Sequence, residues 1–166
     1  MTAPMLQTER LTLRGHRASD FEAFAALFAS DRSRYMDGPL ERWQVWDRFA
    51  SETAGWELVG CGGWAVDLKD GTTVGQVGVN KPDYFPEHEL GWLLYDGHEG
   101  QGYATEAAGA AKDWAFGSFG LTTLVSYIDP PNSASIRVAE RLGGHLDPGA
   151  ARPSPGDLVY RYRVSA

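Results

Sequence analysis

The sequence predicts an α/β fold built on a mixed sheet. Three observations carry this. Short segments of apolar–polar alternation recur between residues 9 and 164, and a two-residue period belongs to strands. Between them lie stretches with apolar residues three and four apart, the spacing of helices packed by one face. The middle of the chain has hairpin spacing, and the second half then reads strand, loop, helix, strand, helix, strand.

Glu9-Arg10-Leu11-Thr12-Leu13-Arg14 opens as a strand with Leu11 and Leu13 on one face. Ser19-Asp20-Phe21-Glu22 fits a capping box, in which the Ser19 hydroxyl and Glu22 carboxylate each satisfy an orphan backbone donor. Phe21, Phe24, Ala25 and Phe28 continue it as a helical stripe. Gly38-Pro39 is expected to open a second helix, because proline suits the first helical position. That helix runs through Trp43, Trp46 and Phe49 and should stop at Gly55. Trp64, Val66 and Leu68 alternate as a strand, Lys69-Asp70-Gly71 turns, and Val74 to Asn80 returns. After a loop with two prolines, strand 89–95 places Leu90, Trp92 and Leu94 on one face and Glu89, Gly91, Leu93 and Tyr95 on the other. An alanine-rich helix presents Ala104, Ala107, Ala108, Ala111 and Trp114 inward. Thr122 to Ile128 is a buried strand, Asn132 caps a fourth helix that ends near Gly143, residues 144–157 form a loop, and Leu158 to Val164 is the last strand.

Composition narrows the function. The chain has 166 residues, enough to bury a core as one domain without a disulfide or metal staple. Its net charge of −7 argues against a nucleic-acid binder, which would carry a basic surface. A single cysteine, Cys61, forms no intrachain disulfide and no zinc cluster, so a reducing, cytoplasmic setting is expected. No apolar run approaches the roughly 20 residues of a membrane span, and the N-terminus lacks the apolar region of a signal peptide. Neither a membrane nor a metal is expected as a partner.

The chemistry concentrates after strand 89–95. Asp96-Gly97-His98-Glu99-Gly100-Gln101-Gly102 is a glycine-rich loop that opens a helix. Helix N-termini carry unpaired N–H groups and the positive end of the macrodipole, and glycines admit a phosphate close to the backbone. The spacing alone fits equally a tight strand-to-helix turn. It is not a P-loop, and it lacks the third glycine of a dinucleotide fingerprint, so an α/β nucleotide binder is the weaker alternative.

Gly100-Gln101-Gly102-Tyr103-Ala104-Thr105-Glu106-Ala107 resembles the pyrophosphate loop and following helix of the GNAT superfamily of acetyl-CoA-dependent N-acetyltransferases. More narrowly it resembles the ribosomal-protein-alanine N-acetyltransferase-like branch. Residues 9–14, Glu89-Leu90-Gly91-Trp92-Leu93-Leu94 and Asp129 to Gly143 resemble that branch's segments in the same order. The resemblance implies a mostly antiparallel sheet flanked by about four helices, in one N-acetyltransferase domain over 1–166. It also implies acetyl-CoA as co-substrate and an amine acceptor, either a small molecule or a peptide N-terminus. A homodimer is compatible with it, though no residue marks one.

By this resemblance Trp92, Leu93, Leu94, Gly100, Gln101, Gly102, Tyr103, Ala104, Thr105 and Asn132 hold acetyl-CoA. Glu89 is the candidate base that takes the amine's proton. His88, adjacent and titrating near neutrality, should face the opposite way. The usual tyrosine on the last helix is absent, and Ser135 is the candidate donor to the departing sulfur. Trp43, Trp46 and Trp56, with Tyr35 and Met36, fall in the region that covers the acceptor cleft, and Tyr84 and Phe85 could edge it. Two further departures are Glu99, where the family usually has Gln, Arg or Trp, and Gly144, where it has Phe, Tyr or Met. A carboxylate beside a pyrophosphate is repulsive unless it points away. Glu99 and the missing tyrosine therefore keep a second class open, a non-catalytic acyl-CoA-binding or sensing module.

Overall fold

The structure is a computed structural model describing residues 1–165. Its sheet has eight strands in the order β1-β2-β3-β4-β5-β6-β8-β7. They are β1 (Leu6–Gln7), β2 (Leu11–Gly15), β3 (Gly63–Leu68), β4 (Thr73–Asn80), β5 (Glu89–Leu94), β6 (Thr123–Ile128), β7 (His145–Leu146) and β8 (Leu158–Arg163). Every neighbouring pair is antiparallel except β5 and β6. The helices are α1 (Phe21–Phe28), α2 (Arg42–Leu58), α3 (Tyr103–Gly117) and α4 (Ser133–Arg141), and short 3₁₀ turns cover Ala18–Asp20 and Asp31–Met36. This is the expected mixed, mostly antiparallel sheet with four α-helices.

The sheet separates two apolar layers. Leu11, Leu13, Trp64, Val66, Leu90 and Trp92 meet Ala107, Ala108, Ala111 and Trp114 of α3 on one side. Phe21, Phe24, Phe28, Val45 and Phe49 of α1 and α2 meet Leu93 and Tyr95 on the other. The two-residue alternation of β5 thus feeds both layers, as its sequence requires.

The helix starts differ from expectation. Asp20, not Ser19, stabilises the entry to α1. Its carboxylate accepts from the Arg17 backbone N–H (2.7 Å) and from two nitrogens of buried Arg14 (2.9 and 3.0 Å). A carboxylate answers the Arg14 charge as a hydroxyl cannot. Gly38-Pro39 is a cis peptide outside α2, whose N-cap is instead Glu41, where the Gln44 side chain accepts from the Glu41 N–H (2.9 Å). The helix passes through Gly55 to Leu58, and Gly55 serves there as a close approach: a Cβ would lie 2.5 Å from the Cys61 carbonyl oxygen. The short outer strands β1 and β7 were not expected from the sequence.

Gly144 also has a packing reason. A Cβ there would sit 2.8 Å from the Tyr162 ring and 2.8 Å from the Ala139 carbonyl oxygen.

Candidate active site

Strand β5 is paired with β4 along its whole length but meets β6 at one parallel pair, Glu89 with Val125. Beyond that apex the strands part into a wedge. Alternation along β5 turns the N–H and C=O of Leu90, Trp92 and Leu94 toward β6. Ser126 Oγ donates to the Leu90 carbonyl (2.6 Å) and Arg32 Nη2 to the Leu94 carbonyl (2.9 Å). The Trp92 edge between them faces the wedge.

The loop after β5 closes one end of this cleft. Gly97, Gly100 and Gly102 have φ of 85°, 78° and 81°, the left-handed region that L side chains avoid. Gly102 is the N-cap of α3, and no side chain caps that helix start. Its first N–H groups and positive dipole end are available to an anion. Arg10 braces the loop from behind. It donates to the Gln101 carbonyl (2.8 Å) and to Glu106 (3.1 Å), and lies 4.8 Å over the Tyr103 ring.

The cleft has a volume of ≈ 440 Å³. Of the expected co-substrate residues, Trp92, Leu93, Leu94, Gly100, Gly102, Ala104, Thr105 and Asn132 line it, as does Ser135. Gln101 and Tyr103 do not. The Tyr103 hydroxyl donates to Gln101 Oε1 (3.2 Å), and both side chains belong to the brace. Leu93 contributes only its side chain, since its backbone pairs with Gln76 of β4.

Ser135 sits in the first turn of α4. Asn132 accepts from the Ser135 N–H (3.2 Å) and so caps the helix as expected. The Ser135 Oγ accepts twice, from Asn132 Nδ2 (3.0 Å) and from Trp92 Nε1 (3.2 Å). A hydroxyl has two lone pairs and one proton. With both lone pairs engaged, its proton is left to donate.

Glu89 stands at the apex of the wedge, on the sheet face toward α1 and α2, and does not line the ≈ 440 Å³ cleft itself. It is half-buried. Opposite β4 it pairs with Asn80, and the next pair on that face is Gly78 with Gly91. A Cβ on Gly91 would be 2.9 Å from Glu89 Oε1, and one on Gly78 would be 2.7 Å from Asn80 Nδ2. The glycine pair is therefore the floor on which the two side chains lie. Burial, then the nearby Glu52 carboxyl, push Glu89 up to about 8. His88 faces the other way, packed edge-on against Phe119 at 5.7 Å, and its burial lowers its pKa.

Several aromatic expectations need correction. Tyr35 and Met36 line the cleft, but Trp43 and Trp46 do not: they are 66% and 50% exposed and flank Phe21 on the outer side of α2. Trp56 is core, packed against Trp64 and Trp114 with its Nε1 donating to the Gly63 carbonyl (2.9 Å). Tyr84 is exposed, and Phe85 packs on Tyr127. Cys61 is fully buried, and burial pushes its thiol up to about 11, which leaves it unreactive.

Arg32, Glu52 and Gln76 were not among the candidates expected from the sequence. Arg32 pairs with Glu99 across the mouth of the cleft. Half-buried Glu52 of α2 accepts from Gln76 Nε2 and lies 3.6 Å from Arg48, and desolvation raises its pKa. Glu52 has no signal of its own on a polar helix face. Gln76 had one, as the single polar side chain within the apolar run Val74 to Val79. Among the described residues no cluster of three or more His, Cys, Asp or Glu is placed to hold a metal, and no helix is long and apolar enough to cross a membrane.

Residues 10–145 match the family model described as Acetyltransferase (GNAT) domain. The Bacillus subtilis (strain 168) protein YkkB is 32% identical over 151 residues, covering 84% of each chain. The crystal structure of the acetyltransferase from Agrobacterium tumefaciens str. C58 is 50% identical, with a TM-score of 0.96 over 99% of this chain and 96% of that one. A ribosomal L7/L12 α-N-protein acetyltransferase solved with coenzyme A shares the fold at a TM-score of 0.76 and 15% identity, covering 97% and 98% of the two chains. The parted strands, the glycine loop at a helix start and these likenesses have one explanation: the chain belongs to the GNAT acetyltransferase family and is an acetyl-CoA-dependent acyltransferase.

Proposed function

We propose that this chain, as one N-acetyltransferase domain over 1–166, moves an acetyl group from acetyl-CoA to a primary amine by direct attack in a ternary complex. The observation that carries this reading is the β5–β6 wedge, with a carboxyl at its apex and a hydroxyl free to donate on its wall. The pyrophosphate would lie on the amides at the start of α3, and the pantetheine arm along the exposed edge of β5 beside Asn132. The acceptor would enter from the side of Tyr35 and Met36.

In this reading Glu89, directly or through one water, takes a proton from the ammonium and leaves a neutral amine. A carboxyl near 8 is matched to this task, since an effective base titrates near working pH. The nitrogen lone pair then bonds to the thioester carbon. Negative charge on the thioester oxygen meets the Trp92 N–H. As the carbon–sulfur bond breaks, the Ser135 hydroxyl gives its proton to the thiolate and regains one from water, while the nitrogen's second proton leaves to water. Most of the acceleration comes from holding both substrates in attack geometry.

The acceptor class is a small-molecule amine or a peptide N-terminus. A thiol-release assay with a panel of both tests the reading. Amine-dependent release of CoA with equimolar acetylated amine supports it. Tight CoA binding without release from any amine would support the alternative, an acyl-CoA-binding module.

A further inference from the structure

Glu99 places a carboxylate at the start of the pyrophosphate loop, where a negative charge opposes a diphosphate. The structure shows how that charge is answered. Arg32, in the 3₁₀ turn between α1 and α2, pairs with the Glu99 carboxylate and also donates to the Leu94 carbonyl (2.9 Å). Both contacts use Nη2. Arg32 and Glu99 line the same cleft as Gly100 and Gly102. The guanidinium is thus held at the mouth of the anion site by one carboxylate and one strand-end carbonyl. A guanidinium carries five donors, and Nη1 and Nε remain for a phosphate.

We propose that Arg32 is a cationic contact for the diphosphate of acyl-CoA, and that Glu99 is the positioning residue that holds it there. In this chain the positive group comes across the cleft from the acceptor-side wall instead of from the loop's first residue. An exposed ion pair contributes little to stability by itself, and the role lies in presenting charge to a ligand. The inference rests on the reading of this cleft as the acyl-CoA site.

The test is a two-residue cycle on CoA affinity by calorimetry, with pantetheine, which lacks the diphosphate, followed by ligand-observed NMR. Arg32→Gln should weaken CoA about 10- to 100-fold, the range of a charge-assisted contact, and leave pantetheine unchanged. Glu99→Gln in the wild-type background should change CoA affinity less than about threefold, because it removes a repulsive charge and loosens Arg32 together. In the Arg32→Gln background the same change should improve CoA binding, since the unpaired carboxylate then only repels. Arg32→Lys keeps the charge without the fork and should fall between wild type and Arg32→Gln; it carries the test if Arg32→Gln folds poorly. Equal CoA affinity in wild type and Arg32→Gln overturns the proposal, and so does an equal loss for CoA and pantetheine. Absence of CoA binding by the wild type would instead overturn the reading of the cleft.

Discussion

Replacing Glu89 with Gln keeps the side chain's shape and removes a titratable proton, and two measurements should respond in opposite directions. Wild-type Glu89 rises from 4.5 to about 8, chiefly through burial and next through Glu52. Roughly a tenth of native molecules then carry the proton-accepting carboxylate at pH 7. Wild-type kcat at saturating acceptor should climb about tenfold per pH unit and level off near 8. The variant should lose about 10²- to 10⁴-fold in kcat and lack that step. Stability moves the other way. A carboxyl whose pKa is higher in the native state holds its proton better when folded. Its contribution is complete below 4.5 and is lost as pH rises through about 8. At 1.36 kcal/mol per pH unit the loss is bounded near ~5 kcal/mol, and access of water reduces it to a few. Glutamine has no charge to bury. Glu89→Gln should therefore be about 1–4 kcal/mol more stable than wild type at pH 9 and nearly equal at pH 4. Denaturant unfolding at both pH values and a pH–rate profile check these outcomes. Wild-type kcat with an unchanged profile would remove Glu89 from the chemistry. An equal loss of stability with pH in both proteins would refute the burial argument.

Three further outcomes follow from the same geometry. Ser135→Ala should lower kcat about 10- to 1000-fold with little change in KM for acetyl-CoA, measured where chemistry limits the rate; near-normal kcat would leave Ser135 a helix-start residue. Gly102→Val forces a branched side chain into φ of 81° and toward Arg10 Nη2, 3.3 Å from the added Cβ, and should abolish the rise in melting temperature caused by CoA. Arg14→Met leaves the buried Asp20 and Asp67 carboxylates without their shared guanidinium and should cost about 3–5 kcal/mol in denaturant unfolding, with no specific effect on CoA affinity.

Much of the fold was legible because its signals are local. The alternation of β5 divided Leu90, Trp92 and Leu94 from Leu93 and Tyr95, and the structure packs the first set against α3 and the second against α1 and α2. Asn132 and the turn at Gly143 were readable from capping chemistry alone. The errors arose where tertiary contacts decide. Ser19 lost its capping role to Asp20 because Arg14, on β2, needs a carboxylate partner. Gly55 looked like a helix stop, but it is the point where α2 meets the Cys61 backbone. Within the site, the glycine loop and the Ser135–Asn132 turn are each contiguous in sequence, so a family resemblance could point to their residues together. The Arg32–Glu99 pair and the Glu52–Gln76 contact join residues far apart in the chain, and no spacing rule brings them together. The same holds for Trp56: helical aromatics look alike in sequence, and only the packing of Trp64 and Trp114 makes this one core.

The most direct test of this site is a crystal structure of the protein with CoA bound. The diphosphate should lie on the backbone amides from Gly100 to Ala104 and the sulfur within hydrogen-bonding distance of Ser135 Oγ, on the wedge side of Trp92. A CoA molecule bound elsewhere, or a sulfur directed away from both Ser135 and the apex at Glu89, would contradict it.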